Sequence, residues 1–316
     1  MPCIQMSGPS VRADLELYGP GRSSAAPTLQ EARAYCRRLA RGHYENFTVA
    51  SWLVPRELRQ PLLSIYAYCR WADDLADELD DPRRSGELLD WWGESLLACY
   101  EGQGEHPVFV ALGETIRRFD IPREPFLDLL VAFRRDQVVR RYERFEELLD
   151  YCRYSANPVG RLVLCLAGCC DAERAKLADS VCTGLQLANF WQDVARDWRR
   201  GRVYLPQADC RRHGYDERMF ASGTFNPAFR SLLEEQVLRA EGFLRGGWPL
   251  AARVPRWLQL EVALFVQGGL AVLEAIQRQQ YDVWSRRPKV SRLRKLRLLV
   301  RSWWLRRRGA LGGSAR

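Results

Sequence analysis

Histidine is scarce in this 316-residue chain: His43, His106 and His213 are the only three. No Cys-x-x-Cys pair lies near any of them, which excludes the usual zinc sites. No signal-like apolar run opens the sequence, and no uninterrupted apolar segment reaches the roughly 18 to 20 residues of a membrane-spanning helix. A span is therefore not expected, and the natural location is the cytoplasm, where the ten cysteines stay reduced. Their spacing agrees, since Cys165, Cys169 and Cys170 crowd one apolar stretch as small core residues do. Alternating β-branched runs with hairpin turns are rare, and no internal period of about 20 to 50 residues recurs.

What the chain does hold is apolar mass and positive charge. Hydrophobic residues make up 47% of it, enough to bury a sizeable core at this length. The formal charge of +9 points to an anionic partner: nucleic acid, an anionic membrane face or a phosphorylated substrate. Residues 1–28 carry Gly, Pro and Ser with little periodicity and read as a flexible leader. From Leu29 onward apolar residues return at helical steps, as in Leu62, Ile65, Tyr66 and Cys69 and in Phe126, Leu129, Leu130 and Phe133. Prolines such as Pro55, Pro82, Pro107, Pro206 and Pro255 divide this stretch into helix-length pieces. The expectation is an all-α, single-domain helical bundle over residues 29–288, because apolar stripes need partner helices. Residues 289–316 form a basic amphipathic tail: from Arg286 to Arg308 there is no acid, and Leu293, Leu296, Val300, Trp303 and Trp304 lie among the bases.

Two acidic motifs carry the chemistry. In the first, Tyr66-Ala67-Tyr68-Cys69-Arg70-Trp71-Ala72-Asp73-Asp74-Leu75-Ala76-Asp77-Glu78, Asp73 and Asp77 fall one helical turn apart on the stripe that Tyr66 and Cys69 begin. Carboxylates on an inward stripe repel one another and need a cation; Mg²⁺ suits them, because it takes one or two carboxylates and completes its shell with water and phosphate oxygens. Arg70, one turn earlier, is placed to meet a phosphate or to pair with Asp73. Taken alone, this motif reads slightly better as a solvated acidic helix end. In the second, Gln186, Asn189, Asp193 and Asp197 form one continuous polar stripe. Leu185, Leu187, Ala188, Phe190, Trp191 and Val194 fill most of the remaining circumference, so the helix should be buried and its polar stripe should line a cavity.

The two motifs, together with the Tyr151-Cys152-Arg153-Tyr154-Ser155-Ala156-Asn157-Pro158-Val159-Gly160 block between them and the Arg202-Val203-Tyr204-Leu205-Pro206 ending of the second, resemble the squalene and phytoene synthase family of head-to-head prenyl transferases. The likeness runs over about residues 30 to 290. It implies an isoprenoid synthase-type helical bundle with a central cavity, acting on a prenyl diphosphate. It further implies that Asp73, Asp77, Asp193 and Asp197 bind Mg²⁺ and diphosphate, and that Tyr154 sits beside cationic intermediates. Gln186 and Asn189 would line the cleft, Arg70, Arg202 and Tyr204 would surround the diphosphate, and Tyr281 would close the pocket.

Three departures bear on the substrate. Where the family carries a Ser-basic-Ser segment before Phe, this chain has His43-Tyr44-Glu45-Asn46-Phe47, which puts His43, Tyr44, Asn46 and Phe47 in the substrate-binding role beside an acid. Gln192 stands where an arginine is frequent, and Asn157-Pro158 replaces a Gly-containing pair. These signatures resemble the hopanoid-pathway branch that converts presqualene diphosphate and water to hydroxysqualene. In that branch NADPH is not expected, and a polar site near Tyr154, Asn157 or Glu45 would hold the water. A squalene, presqualene diphosphate or phytoene synthase is the alternative, and a membrane-recruiting helical scaffold is the non-enzymatic one. A nucleic-acid partner is not expected, because it leaves the acidic stripes without a role. The tail is expected to make peripheral membrane contact, and the resemblance adds contact with other squalene-pathway enzymes.

Overall fold

Short polar side chains and prolines start the helices at the breaks visible in the sequence. Asp81 accepts from the Arg83 amide ahead of Pro82, Asp171 from the Arg174 amide, and Asn226 from the Phe229 amide ahead of Pro227. Each cap satisfies a donor that has no partner within the first turn, and proline at the first helical position has none to satisfy. The computed structural model describes residues 11–22, 26–42, 54–79 and 81–307, and its regular structure is helical. Among the described residues the one β feature is an isolated bridge between Arg141 and Val203. The all-α expectation is met.

The helices fall into two compact units, residues up to Val138 with Cys165–Gly168, and Val139–Leu164 with Cys169 onward. The first contains α1 (Val11–Tyr18), α2 (Leu29–Gly42), α3 (Arg56–Asp77), α4 (Pro82–Tyr100), α5 (Pro107–Phe119) and α6 (Glu124–Val138). Its core is aromatic: Trp71 of α3 stacks on Trp92 of α4 with centroids 5.1 Å apart, and Tyr68 meets Phe126 edge-on at 5.0 Å. His106 is buried among these rings, its Nδ1 accepts from the Val108 amide, and burial lowers its pKa to about 3. It is a neutral cap with no acid–base role at ordinary pH. The segment expected to be a flexible leader contains α1, whose Val11 and Asp14 are buried. The Tyr35 hydroxyl of α2 donates to Asp14 at 2.6 Å, a tertiary hydrogen bond that hydrophobic periodicity does not register.

The second unit is built on α9 (Ala172–Arg199), preceded by α7 (Phe145–Ser155) and α8 (Asn157–Leu166) and followed by two short helices, α10 (Gln207–Arg212) and α11 (Glu217–Ser222). The longest packing is between α9 and α12 (Pro227–Gly247). It depends on two glycines: a Cβ on Gly184 would lie 2.8 Å from Leu244 Cγ, and one on Gly247 would lie 2.5 Å from Val181 Cγ2. The chain continues through α13 (Leu250–Arg253) and α14 (Arg256–Arg278) to α15 (Arg292–Arg307).

By length and composition α14 is the one described helix able to cross a membrane, although polar residues interrupt its apolar run. It packs against α9, α12, α13 and α15, and it buries Glu261 and Gln267. The basic tail forms α15. Arg294 pairs with Glu274 at 2.5 Å and Ser302 is fully buried, so one side of this helix rests on α14. Leu293, Leu296, Val300, Trp303 and Trp304, at helical steps along the other side, are 71, 57, 57, 40 and 46% exposed.

Candidate active site

The first acidic motif ends α3. Tyr68, Trp71, Ala72 and Leu75 are buried, so the remaining arc carries Arg70, Asp73 and Asp77 to the accessible side. Asp73 is half-buried and Asp77 exposed. Arg70 donates to Asp73 at 3.1 Å, as its spacing predicts, and also pairs with Asp74 and, at 3.5 Å, with Glu78. One guanidinium therefore organises three acids. Asp74 is the member that sequence reasoning passed over: it is only 5% exposed, and burial raises its pKa to about 7. Its signal was the polar residue next to Asp73 on a stripe that is otherwise core.

The second motif lies along α9. Leu187, Ala188, Phe190, Trp191 and Val194 are buried, whereas Gln186, Asp193 and Asp197 are half-buried and Asn189 is exposed. The polar stripe is thus the open face of an otherwise buried helix. Burial and the charge on Asp193 raise the Asp197 pKa to about 7, because a second carboxylate one turn away disfavours its ionised form. Phe190, Val194, Asp197, Arg202 and Tyr204 line one recess. Tyr204 stacks on Phe190 with centroids 3.8 Å apart, and Tyr142 and Tyr151 extend the cluster at 6.0 Å each. A flat aromatic surface thus adjoins a carboxylate and a guanidinium.

Arg287, absent from the sequence reading, closes this end of the motif. Its Nε and Nη2 donate to the two oxygens of Asp193 at 2.6 and 2.8 Å. Gln192 holds it there, accepting from Arg287 Nη2 at 2.8 Å and donating to the Pro288 carbonyl at 2.6 Å. The position where an arginine is frequent in the family therefore carries an amide, and a guanidinium reaches Asp193 from a residue 94 positions on. No local spacing signals such a contact.

The remaining expected residues divide by place. Tyr154 is half-buried on α7, with the Arg153 guanidinium 5.5 Å from its ring centre. Asn157 is buried, and its Oδ1 accepts from the Thr183 hydroxyl at 2.9 Å, which ties α8 to α9. Tyr281 follows α14 with φ of +66°, next to Gln280 at +55°. Two successive non-glycine residues in the left-handed region mark a strained turn of the kind found at functional sites. The Tyr281 hydroxyl donates to Glu234 at 3.4 Å. His43, Tyr44, Asn46 and Phe47 lie outside the described residues.

Both motifs offer only hard oxygen donors, and each contains a desolvated carboxyl that a cation would stabilise, which fits Mg²⁺. Among the described residues no group of three or more His, Cys, Asp or Glu is gathered closely enough to hold a metal alone. Two carboxylates per motif suit an ion that takes its remaining oxygens from water and phosphate.

Comparison with known proteins agrees with these features. The squalene/phytoene synthase family profile matches residues 40–294. A hydroxysqualene synthase from Rhodopseudomonas palustris is 38% identical over 224 residues, 70% of this chain and 75% of that one. A 15-cis-phytoene synthase from Synechocystis is 30% identical over 310 residues, 93% of this chain and 91% of that one. Among solved structures, squalene synthase HpnC from Alicyclobacillus acidocaldarius superposes with a TM-score of 0.78 at 44% identity, covering 80% of this chain and 95% of its own. This chain belongs to the squalene/phytoene synthase family of head-to-head prenyl-diphosphate synthases and is an enzyme.

Proposed function

We propose that this enzyme converts presqualene diphosphate and water to hydroxysqualene and diphosphate, with Mg²⁺ and without NADPH. The observation that carries the diphosphate chemistry is the open carboxylate stripe on the otherwise buried α9, with a desolvated Asp197 beside Arg202 and Tyr204. The higher identity to a hydroxysqualene synthase than to the phytoene synthases speaks against a phytoene synthase, and the choice of presqualene diphosphate is supported by the amide at Gln192.

In this reading Asp73 and Asp77 of the first motif and Asp193 and Asp197 of the second would hold Mg²⁺, which would supply positive charge to a departing diphosphate. Arg70 and Arg202, each beside its own acidic motif, would be the guanidinium donors to diphosphate. The faces of Tyr204, Phe190 and Tyr154 stabilise the carbocation left behind through cation–π attraction, and Gln186, Asn189 and Tyr281 bound the space around it. His43, Tyr44, Asn46 and Phe47 belong to the substrate-binding set through the family resemblance alone. Apolar walls exclude all but the water that becomes the product hydroxyl.

Product identification tests this directly. The purified enzyme is given presqualene diphosphate, or farnesyl diphosphate, each with and without NADPH. Hydroxysqualene from presqualene diphosphate, independent of NADPH, is expected. Efficient conversion of farnesyl diphosphate to presqualene diphosphate, or squalene formation that requires NADPH, would replace the reading with the alternative synthase.

The outward face of α15 favours a second element of function. We infer that it rests on an anionic membrane surface, from which the water-insoluble substrate and product enter and leave a cytoplasmic enzyme and reach others of the squalene pathway.

A further inference from the structure

Arg287 is tied to the second acidic motif by two hydrogen bonds to Asp193 and one to Gln192. Its side chain is 43% exposed, whereas the Asp193 side chain it grips with two hydrogen bonds is 16% exposed. Gln192 next to Asp193 is 7% exposed, and both halves of its amide are committed to residues 287 and 288. The backbone at Pro288 is thereby pinned to α9, while the guanidinium reaches Asp193 from the accessible side. The cation that meets the Asp193 carboxylate in the structure is Arg287.

We infer that Arg287 has two successive partners: it is the counter-ion of Asp193 before magnesium arrives, and the donor to the substrate diphosphate afterwards. The inference rests on the diphosphate reading above. The physical reason is competition for one carboxylate. A hard divalent ion bound to an Asp193 oxygen competes with the guanidinium for the lone pairs and the charge of that carboxylate, so metal binding breaks the bidentate grip and frees at least one arm of the fork. Because Gln192 holds the backbone at Pro288, the freed guanidinium stays beside α9, where a metal-bound diphosphate presents its oxygens. The planar fork suits that exchange, since carboxylate and phosphate present the same paired acceptors. Arg287 is thus a substrate-binding group, and Gln192 is the positioning residue behind it.

The two roles have opposite signatures. In Arg287→Gln, Asp193 loses its competitor, so Mg²⁺ alone should bind several-fold more tightly by calorimetry. Inorganic pyrophosphate in saturating Mg²⁺ should bind about tenfold or more weakly, the loss expected for a charge-assisted bidentate contact. Arg287→Lys should recover part of the pyrophosphate affinity. Gln192→Leu should weaken pyrophosphate binding and speed amide hydrogen exchange at residues 286–291, with the helical circular dichroism unchanged. Opposed shifts in Arg287→Gln support the inference. Two unchanged affinities, or two that move the same way, overturn it. If the wild type binds Mg²⁺ and pyrophosphate and Arg287→Gln shows the opposed shifts, yet no prenyl diphosphate is turned over, the functional reading fails and the role of Arg287 stands.

Discussion

The indole nitrogen of Trp71 donates to the Tyr35 hydroxyl at 2.8 Å, and that hydroxyl donates onward to Asp14 at 2.6 Å. The chain links α3, α2 and α1 through three buried polar groups and fixes the rotation of α3 two residues before Asp73. Tyr35→Phe removes one oxygen but leaves two buried groups short of a partner, the Trp71 N–H and the Asp14 carboxylate. We expect a loss of about 2 to 3 kcal/mol in stability, read as a lower urea midpoint with an unchanged slope. A change below about 0.5 kcal/mol would mean that water replaces the hydroxyl.

Removing a carboxylate from either motif should stop the reaction and spare the fold. Asp77 is exposed and Asp193 half-buried, so Asp77→Ala and Asp193→Ala should leave the helical circular dichroism intact while diphosphate release falls by about a thousandfold or more. Excess chelator should silence the wild type. Near wild-type turnover in either variant would remove that motif from the chemistry.

The features legible in advance were those encoded by local spacing. Helices, the buried face of α9, and the pairing of Arg70 with Asp73 all follow from three- and four-residue steps and side-chain reach. The stripe of Asp73 and Asp77 on α3, read as inward, is instead the accessible one, because Tyr68, Trp71 and Leu75 take the core side. The features missed depend on distant segments meeting. The Arg287–Asp193 pair joins the loop after α14 to α9, and the Tyr35–Asp14 bond gives order to a segment whose own composition suggests none. Asp74 was passed over for another reason: beside two acids at functional spacing, a third reads as redundant until its burial is known. The tail was ambiguous because Leu298 and Leu299 widen its apolar face in sequence, whereas Arg294 and Ser302 settle which side faces α14.

Proton competition should appear in the magnesium dependence. Burial raises both Asp74 and Asp197 to about 7. A raised carboxyl pKa means that a proton is held up to that pH and that metal must displace it. At limiting Mg²⁺, diphosphate release should therefore rise from pH 6 to 8, and the rise should flatten at saturating Mg²⁺. In Asp197→Asn the binding of Mg²⁺, read by calorimetry, should lose most of this pH dependence. An equal pH profile at low and high Mg²⁺ would show that neither acid competes with the metal.

Glu261 offers a stability test away from both motifs. It is 4% exposed on α14, its Oε1 has no hydrogen-bond partner, and burial raises its pKa to about 8. For a carboxyl whose folded pKa lies above its unfolded value, stability is lost as pH rises from the unfolded pKa through the folded one. The window here runs from about 4.5 to 8. Glu261→Met removes the charge at similar volume. It should stabilise the protein by roughly 2 kcal/mol or more at pH 8 and by little near pH 4.5. A gain that does not change with pH would assign the effect to packing.

The exposed face of α15 predicts binding to anionic lipid through its apolar side chains, with the bases setting its salt dependence. Leu293, Leu296 and Val300 follow one another at three- and four-residue steps, Trp303 and Trp304 lie three and four residues beyond Val300, and Arg297 and Arg301 are exposed beside them. Indole rings favour the headgroup boundary, and each Lys or Arg near an anionic surface contributes about 1 kcal/mol. The inward side of the helix is separate, held by Arg294 on Glu274 and by buried Ser302. Substitutions on the outer face should therefore spare the fold. The wild type should float with vesicles containing anionic lipid, less so as salt is raised. Leu296→Ser combined with Trp303→Ser and Trp304→Ser should lose that binding while keeping its melting temperature and its turnover of detergent-dispersed substrate. A triple variant that floats as well as the wild type would show that the stripe does not meet lipid.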